Sequence, residues 1–206
     1  NFVNISNSNM DEKKWQIAAL YQFVKLKNVP DKRKKLQKVC EEYNIFGTLI
    51  LAKEGINGTV TGEPGSIDVL IGEIKKWSEI KTLEVKYSSS DEPNFKRLKI
   101  KQKKEIVTMG QNDVDPELIT GEYISPKDWN TFVERDDVIL IDARNEYETM
   151  IGHFKGAIDP HTDTFTEFPE WITEFVDKNL DDKKIAMYCT GGIRCEKASS
   201  YLKSKG

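Results

Sequence analysis

Cysteine and histidine are scarce in this chain, with three Cys and two His in 206 residues. An odd, widely spread set of cysteines argues against a disulfide framework. Neither His153 nor His161 has a ligand-spaced partner, so no metal site is legible. No apolar stretch approaches the roughly 20 residues that a membrane span needs. The N-terminal segment has no signal-peptide core, because Asp11, Glu12, Lys13 and Lys14 interrupt it. The glycines at 55, 58, 62 and 65 are followed by no Gly-Lys-Ser/Thr and lack Rossmann spacing, so they read as turns. Solenoid repeats are absent. These gaps lead to the expectation of a cytoplasmic protein with reduced thiols, no membrane association, no identifiable cofactor and no identifiable protein partner.

Charge is abundant but unevenly placed. Residues 1–110 carry 20 Lys and Arg against 14 Asp and Glu, while residues 111–206 carry 11 against 20. A polyanion, if one binds, is therefore expected on the N-terminal half, although imbalances of this size also serve solubility alone.

Residues 1–14 are Asn- and Ser-rich at their start and read as disordered or cloning-derived. Residues 15–110 then read as one domain. Gln16 to Lys27 has strand character, and Pro30 and Asp31 open a helix to about Tyr43 with Leu36, Val39, Cys40 and Tyr43 on one face. Phe46 to Ala52 is a second strand, and Asn57-Gly58 signals a hairpin into a third at Thr59 to Thr61. Pro64 and Gly65 begin a helix with Ile67, Leu70, Ile71, Ile74 and Trp77 on its apolar face, and Leu83 to Tyr87 is a fourth strand. The order βαββαβ predicts a ferredoxin-like, acylphosphatase-like α+β domain. It ends in a basic strand, where Arg97, Lys99, Lys101 and Lys103 alternate and Lys96 adds a further charge. Those four alternating charges span about 20 Å when extended. The stripe suits the phosphates of a folded RNA, and it equally suits an edge strand guarded by lysines.

Residues 111–121 read as a linker around Pro116, and residues 122–206 as an alternating α/β domain. Ser125 is placed to cap a helix holding Trp129 and Phe132. Strands are expected at Val138–Ile141, near Ala157–Ile158 and at Ile185–Tyr188, with helices at Trp171–Val176 and Cys195–Leu202.

The chemistry concentrates between that last strand and helix. Cys189 stands at the strand end, followed by Thr190, Gly191, Gly192, Ile193 and Arg194. Such a loop can turn its amides inward, and a helix N-terminus closes it, so it forms a cup that stabilises a thiolate and an anion bonded to it. Cys189 is the candidate catalytic residue, with Thr190 to Ile193 as amide donors and Arg194 as a fixed charge. Cys195 is either a resolving thiol or a packing residue at the helix start. Protein tyrosine phosphatases resemble this layout but carry five residues between Cys and Arg. The four here disfavour phosphate-ester hydrolysis.

Asp142-x-Arg144, Gly152-His153-x-x-Gly156-Ala157 and the Cys189 loop together resemble the rhodanese domain. That resemblance implies a supporting role for Asp142 and Arg144, a structural His153, and a further strand after the last helix, so the chain is expected to be C-terminally truncated. Gly47–Val60, Lys103–Gly110 and Cys189–Ala198 are moreover similar to the bacterial oxygen-dependent tRNA uridine hydroxylase family. The resemblance implies a tRNA-modifying oxidoreductase that uses molecular oxygen to hydroxylate C5 of the wobble uridine, with tRNA as partner. It makes Lys96, Arg97, Lys99, Lys101 and Lys103 candidate RNA contacts. A sulfurtransferase carrying a Cys189 persulfide, and an RNA-binding module with an inactive cup, are the competing readings.

Overall fold

A computed structural model describes residues 15–111, 113–179 and 182–206. The expectation for residues 1–14 lies outside the described residues. Two compact units are present: one takes the chain through Gln22, Leu26–Ala52 and Ile56–Lys103, the other Phe23–Lys25, Lys53–Gly55 and Lys104–Gly206.

The first unit holds a five-stranded sheet ordered β4-β1-β3-β2-β5, with β1 Trp15–Phe23, β2 Phe46–Ala52, β3 Gly55–Gly62, β4 Glu84–Ser90 and β5 Leu98–Gln102. Helices α1 (Val29–Glu42) and α2 (Pro64–Lys75) complete the predicted βαββαβ order. Period-2 burial places Ala18, Leu20, Leu49, Leu51, Val60 and Ile100 in the core. Leu36 and Cys40 of α1 are fully buried, and desolvation pushes the Cys40 thiol up to about 12. Tyr43, assigned from sequence to that apolar face, instead forms the C-cap and is exposed.

Two expectations need correction here. Strand β1 ends at Phe23 rather than Lys27, because the Val24 amide donates to Glu54 O at 2.9 Å. The hairpin turn is Lys53-Glu54, and Asn57-Gly58 lies within β3. Gly58 is there for close packing: a Cβ on it would meet Thr48 O at 2.1 Å and Leu49 Cα at 2.9 Å. Gly47 mirrors it, at φ +124° and with a would-be Cβ 2.3 Å from Thr59 O.

The basic strand forms as expected and joins the sheet edge. β5 pairs in parallel with β2, Gly47 opposite Leu98 through Leu51 opposite Gln102. Ile100 points to the core, while Lys96, Arg97, Lys99, Lys101 and Lys103 are exposed.

The second unit pairs β6 (Val138–Asp142) with β7 (Lys184–Tyr188) in parallel, and Ile158 adds a parallel bridge to Ile141. Helices α3 (Trp129–Val133), α4 (Glu146–Thr149), α5 (Phe168–Asn179) and α6 (Ile193–Ser204) accompany them. Met109, Ile141, Ala143, Phe165, Phe168, Ile172, Ala198 and Tyr201 form its core. Ser125 donates to Asp128 Oδ2 at 2.5 Å within a turn, and α3 begins only after Asp128, so Ser125 is not the helix cap. Among the described residues no helix is long and apolar enough to cross a membrane.

Candidate active site

The candidate site is assembled where β7 runs into α6. Cys189 leaves the strand half-buried, and Gly192 takes φ +99° as the N-cap of α6. That left-handed turn, open to glycine alone without strain, starts the helix at Ile193, two residues earlier than its apolar pattern suggested. Ile193 and Arg194 therefore belong to the first helical turn rather than to the loop.

Four donors, one of them the Arg194 guanidinium, meet the Cys189 sulfur. Gly192 N lies 3.1 Å from Sγ, and Cys195 contributes both its thiol and its backbone amide. The Cys195 thiol bond is the largest influence on Cys189. It acts with the amides and the Arg194 charge against desolvation, and brings the thiol down to about 5. Cys195 is pushed the opposite way, well above an ordinary thiol, because it is the donor to a neighbouring thiolate and is itself desolvated. The residue read as either resolving thiol or packing residue is thus in direct contact with the reactive sulfur.

Arg194 is committed to a partner that sequence reading did not single out. Its Nη1 and Nη2 donate to Glu148 Oε2 at 2.6 Å and Oε1 at 2.8 Å, a bidentate pair. Thr190 Oγ donates to Glu148 Oε1 at 2.7 Å, and the Asn145 amide reaches Oε2 at 3.2 Å. Chiefly through Arg194, the Glu148 carboxyl is held down to about 2, against the cost of burial. Asn145-x-x-Glu148 is the one sequence signal for it, the reach-back half of a capping box at the start of α4. Its role in the cup was not legible, since Arg194 is 46 residues away.

Asp142 and Arg144 pair with each other beside the strand that ends in Cys189. Asp142 is fully buried and accepts from Arg144 Nε, Arg144 Nη2 and the Tyr188 hydroxyl at 2.9, 2.6 and 2.5 Å. Arg144 Nη2 also donates to Gly152 O at 2.6 Å, and the Phe154 amide donates to the Tyr188 hydroxyl at 3.1 Å. These bonds pin the Gly152–Phe154 loop to the strand that ends in Cys189. Tyr147, Met150, Ile151 and Phe154 are exposed on the same segment as Glu148.

His153 Nδ1 lies 3.5 Å from Thr149 O and His161 Nδ1 3.2 Å from Glu146 Oε1. Among the described residues no group of three or more His, Cys, Asp or Glu side chains is placed to hold a metal ion. The structure thus gathers Cys189, Thr190, Gly192, Arg194 and Cys195 around one sulfur and its Glu148 brace. Gly191 and Ile193 supply the backbone between them. Lys96, Arg97, Lys99, Lys101 and Lys103 belong to the other unit.

This geometry has a direct consequence. The rate of Cys189 alkylation by iodoacetamide is expected to rise with pH to a midpoint near 5 and to be flat above it. Cys195→Ala should move that midpoint toward the ordinary thiol value of about 8.5, and Cys195→Ser, which keeps a donor, should move it less. Because the folded chain favours the thiolate, the group's contribution to stability is fully present above about pH 8.5 and is lost as pH falls through 5. A midpoint that stays near 8.5 in the wild type would show that these donors do not act on the sulfur.

Comparison with known proteins gives two domain families. The UPF0176 acylphosphatase like domain matches residues 15–106, and the rhodanese-like domain matches residues 125–206. The chain is 46% identical over 195 residues to a protein of Bartonella bacilliformis named tRNA uridine(34) hydroxylase, covering 95% of this chain and 64% of that protein. It is 49% identical over 190 residues to the protein of that name from Brucella ovis, covering 92% and 62%. The chain spans about three fifths of the length of the curated relatives it matches. A solved acylphosphatase from Coxiella burnetii is similar over 46% of this chain and 99% of its own, at 14% identity and a TM-score of 0.35.

Proposed function

We propose, for a chain that belongs to the family joining a UPF0176 acylphosphatase-like domain to a rhodanese-like domain, that Cys189 serves the oxygen-dependent hydroxylation of the wobble uridine of tRNA at C5. The observation that carries this reading is a cysteine held as a thiolate at neutral pH, under the Gly192 and Cys195 amides and beside Arg194. The names of the relatives supply the substrate.

The thiolate is a soft nucleophile suited to adding at C6 of an unstacked uracil. The S–C6 bond forms as the C5=C6 π bond opens, and C5 becomes nucleophilic toward an oxygen donor. Loss of the C5 proton then expels the sulfur and restores the double bond. Molecular oxygen is the oxidant in this reading, with two electrons and two protons from an external reductant releasing its second atom as water. The exposed rings of Tyr147 and Phe154 are of the type on which splayed bases stack. A cytoplasmic setting suits both tRNA and three free thiols.

The test is mass spectrometry of tRNA nucleosides from cells lacking the endogenous hydroxylase and supplied with this protein, in its full natural length. Restored 5-oxidised uridine is the expected result, and its absence despite good expression overturns the proposal.

The β5 residues carry a prediction about binding. Lys99→Glu with Lys101→Glu should weaken tRNA binding by about 10- to 100-fold and flatten its dependence on salt, by about 0.7–0.9 for each phosphate no longer neutralised. Filter binding across a salt series measures both. If the lysines only guard an edge strand, the variant aggregates while its monomeric fraction binds as before.

A second reading has its own support in the short loop of four residues between Cys189 and Arg194. In it Cys189 carries sulfane sulfur as a persulfide. Saturable turnover of thiosulfate and cyanide favours this sulfurtransferase reading, and an intact mass that never shows the extra sulfur counts against it.

A further inference from the structure

We propose that Cys189 and Cys195 form a peroxide-reactive dithiol, in which Cys189 is oxidised and Cys195 resolves it as an intramolecular disulfide. The inference does not depend on the substrate assigned to the site. It stands on the side-chain contact between the two sulfurs and on the loop that joins them.

Cys189 ends β7 and Cys195 sits in the first turn of α6. Gly192 folds the intervening chain back, so that its own amide and the thiol and amide of Cys195 converge on one sulfur. The same contact lowers the Cys189 thiol and raises that of Cys195. That is the division of labour of an attacking and a resolving thiol. Closing a bond of about 2.05 Å from hydrogen-bond contact needs a side-chain rotation and a small shift of the loop. The third cysteine is excluded, since Cys40 is fully buried in the other unit.

The chemistry balances. The Cys189 thiolate attacks one oxygen of a hydroperoxide: the S–O bond forms, the O–O bond breaks, and the departing hydroxide takes a proton to become water. Sulfur loses two electrons and the peroxide gains them. The sulfenic acid so formed is neutral, which removes the negative charge that kept Cys195 protonated. Cys195 then releases its proton and attacks the Cys189 sulfur. The S–S bond forms, the S–O bond breaks, and hydroxide leaves with that proton as a second water. The disulfide protects Cys189 from irreversible sulfinic acid and switches the cup off until a thiol reduces it.

The experiment uses the reduced full chain, stoichiometric hydrogen peroxide and non-reducing mass spectrometry. Arg194 lies between the two cysteines, so trypsin separates them unless they are bridged. The expected wild-type product is about 2 Da lighter, its peptide ending at Arg194 stays joined to the one beginning at Cys195, and dithiothreitol reverses both changes. Cys195→Ser should form no linked peptide and should accumulate sulfinic acid on Cys189 at least about 10-fold faster. Cys40→Ser should behave as wild type. Wild-type protein that goes directly to sulfinic acid, resists peroxide, or links Cys189 to Cys40 overturns the proposal, whether or not Cys195→Ser folds.

Discussion

Lys197→Met is expected to lower the unfolding free energy by about 3–5 kcal/mol at pH 7, the cost of breaking a buried ion cluster by removing one partner. Lys197 lies on α6 one turn after Ile193, and it is 1% exposed. Its ammonium donates to Glu54 Oε1 and Oε2 at 2.9 and 2.8 Å, to Glu105 Oε2 at 2.7 Å and to Val107 O at 3.1 Å. The two carboxylates are also tethered by backbone amides. Ile106 N donates to Glu54 at 2.6 Å, and Met109 N and Gly110 N donate to Glu105 at 2.9 and 3.2 Å. Neither can leave for water without giving up those bonds. Methionine would therefore leave two carboxylates facing each other across the volume that held a cation.

The pH dependence separates this mechanism from simple loss of packing. Burial raises the Glu105 carboxyl, but the Lys197 ammonium and the two amides outweigh it and leave the group below its ordinary range. In the wild type that contribution is present above the unfolded carboxylate value of about 4.3, and it is lost as pH falls through the lowered folded value. In Lys197→Met the like-charged pair favours protonation of one member. The deficit should then shrink as pH falls from 7 toward 4.5, which urea melts at the two values would show. A deficit under about 1 kcal/mol at pH 7, or one independent of pH, would remove the ion cluster as the source of stability.

Lys197 also shows what local sequence pattern can and cannot reveal. The apolar periods of β2, β7 and α2 were legible because burial on one face imposes them on neighbouring residues. The alternation of β5 was legible for the same reason. The partners of Lys197 lie 92 and 143 residues away in the chain, and no period connects them. Yet Glu54, Glu105 and Lys197 fall one in each of the three stretches that carried the resemblance to the hydroxylase family. Those stretches meet at a buried charge, which single-residue reasoning treated as three separate motifs. Glu148 was missed in the same way. Its helix-capping signal is local, whereas the Arg194 contact that places it in the cup is not. Asn57-Gly58 misled in the other direction. A dipeptide typical of hairpin turns serves here to let β3 approach Thr48 and Leu49.

In the proposed reaction Cys189→Ser should reduce uridine hydroxylation by on the order of 10³-fold or more while leaving tRNA affinity close to wild type. The substitution is nearly isosteric. A serine oxygen can still accept from Gly192 N and from Cys195, so the bonds that shape the loop persist. What changes is ionisation. The cup brings a thiol down to about 5, so thiolate predominates at pH 7. A hydroxyl starts so much higher that the same donors leave it protonated, and a neutral hydroxyl adds poorly to a pyrimidine. The proposed RNA contacts of β5 and the Glu148–Arg194 pair are untouched, so tRNA binding should not report the change. Single-turnover assays on unmodified tRNA, read by nucleoside mass spectrometry beside a binding measurement, separate the two quantities. Full 5-oxidised uridine from the serine variant would take Cys189 out of the reaction and leave the thiolate to the sulfur-transfer and peroxide chemistry alone. Loss of tRNA affinity in step with activity would instead assign the cup a binding role, with the oxygen chemistry carried elsewhere.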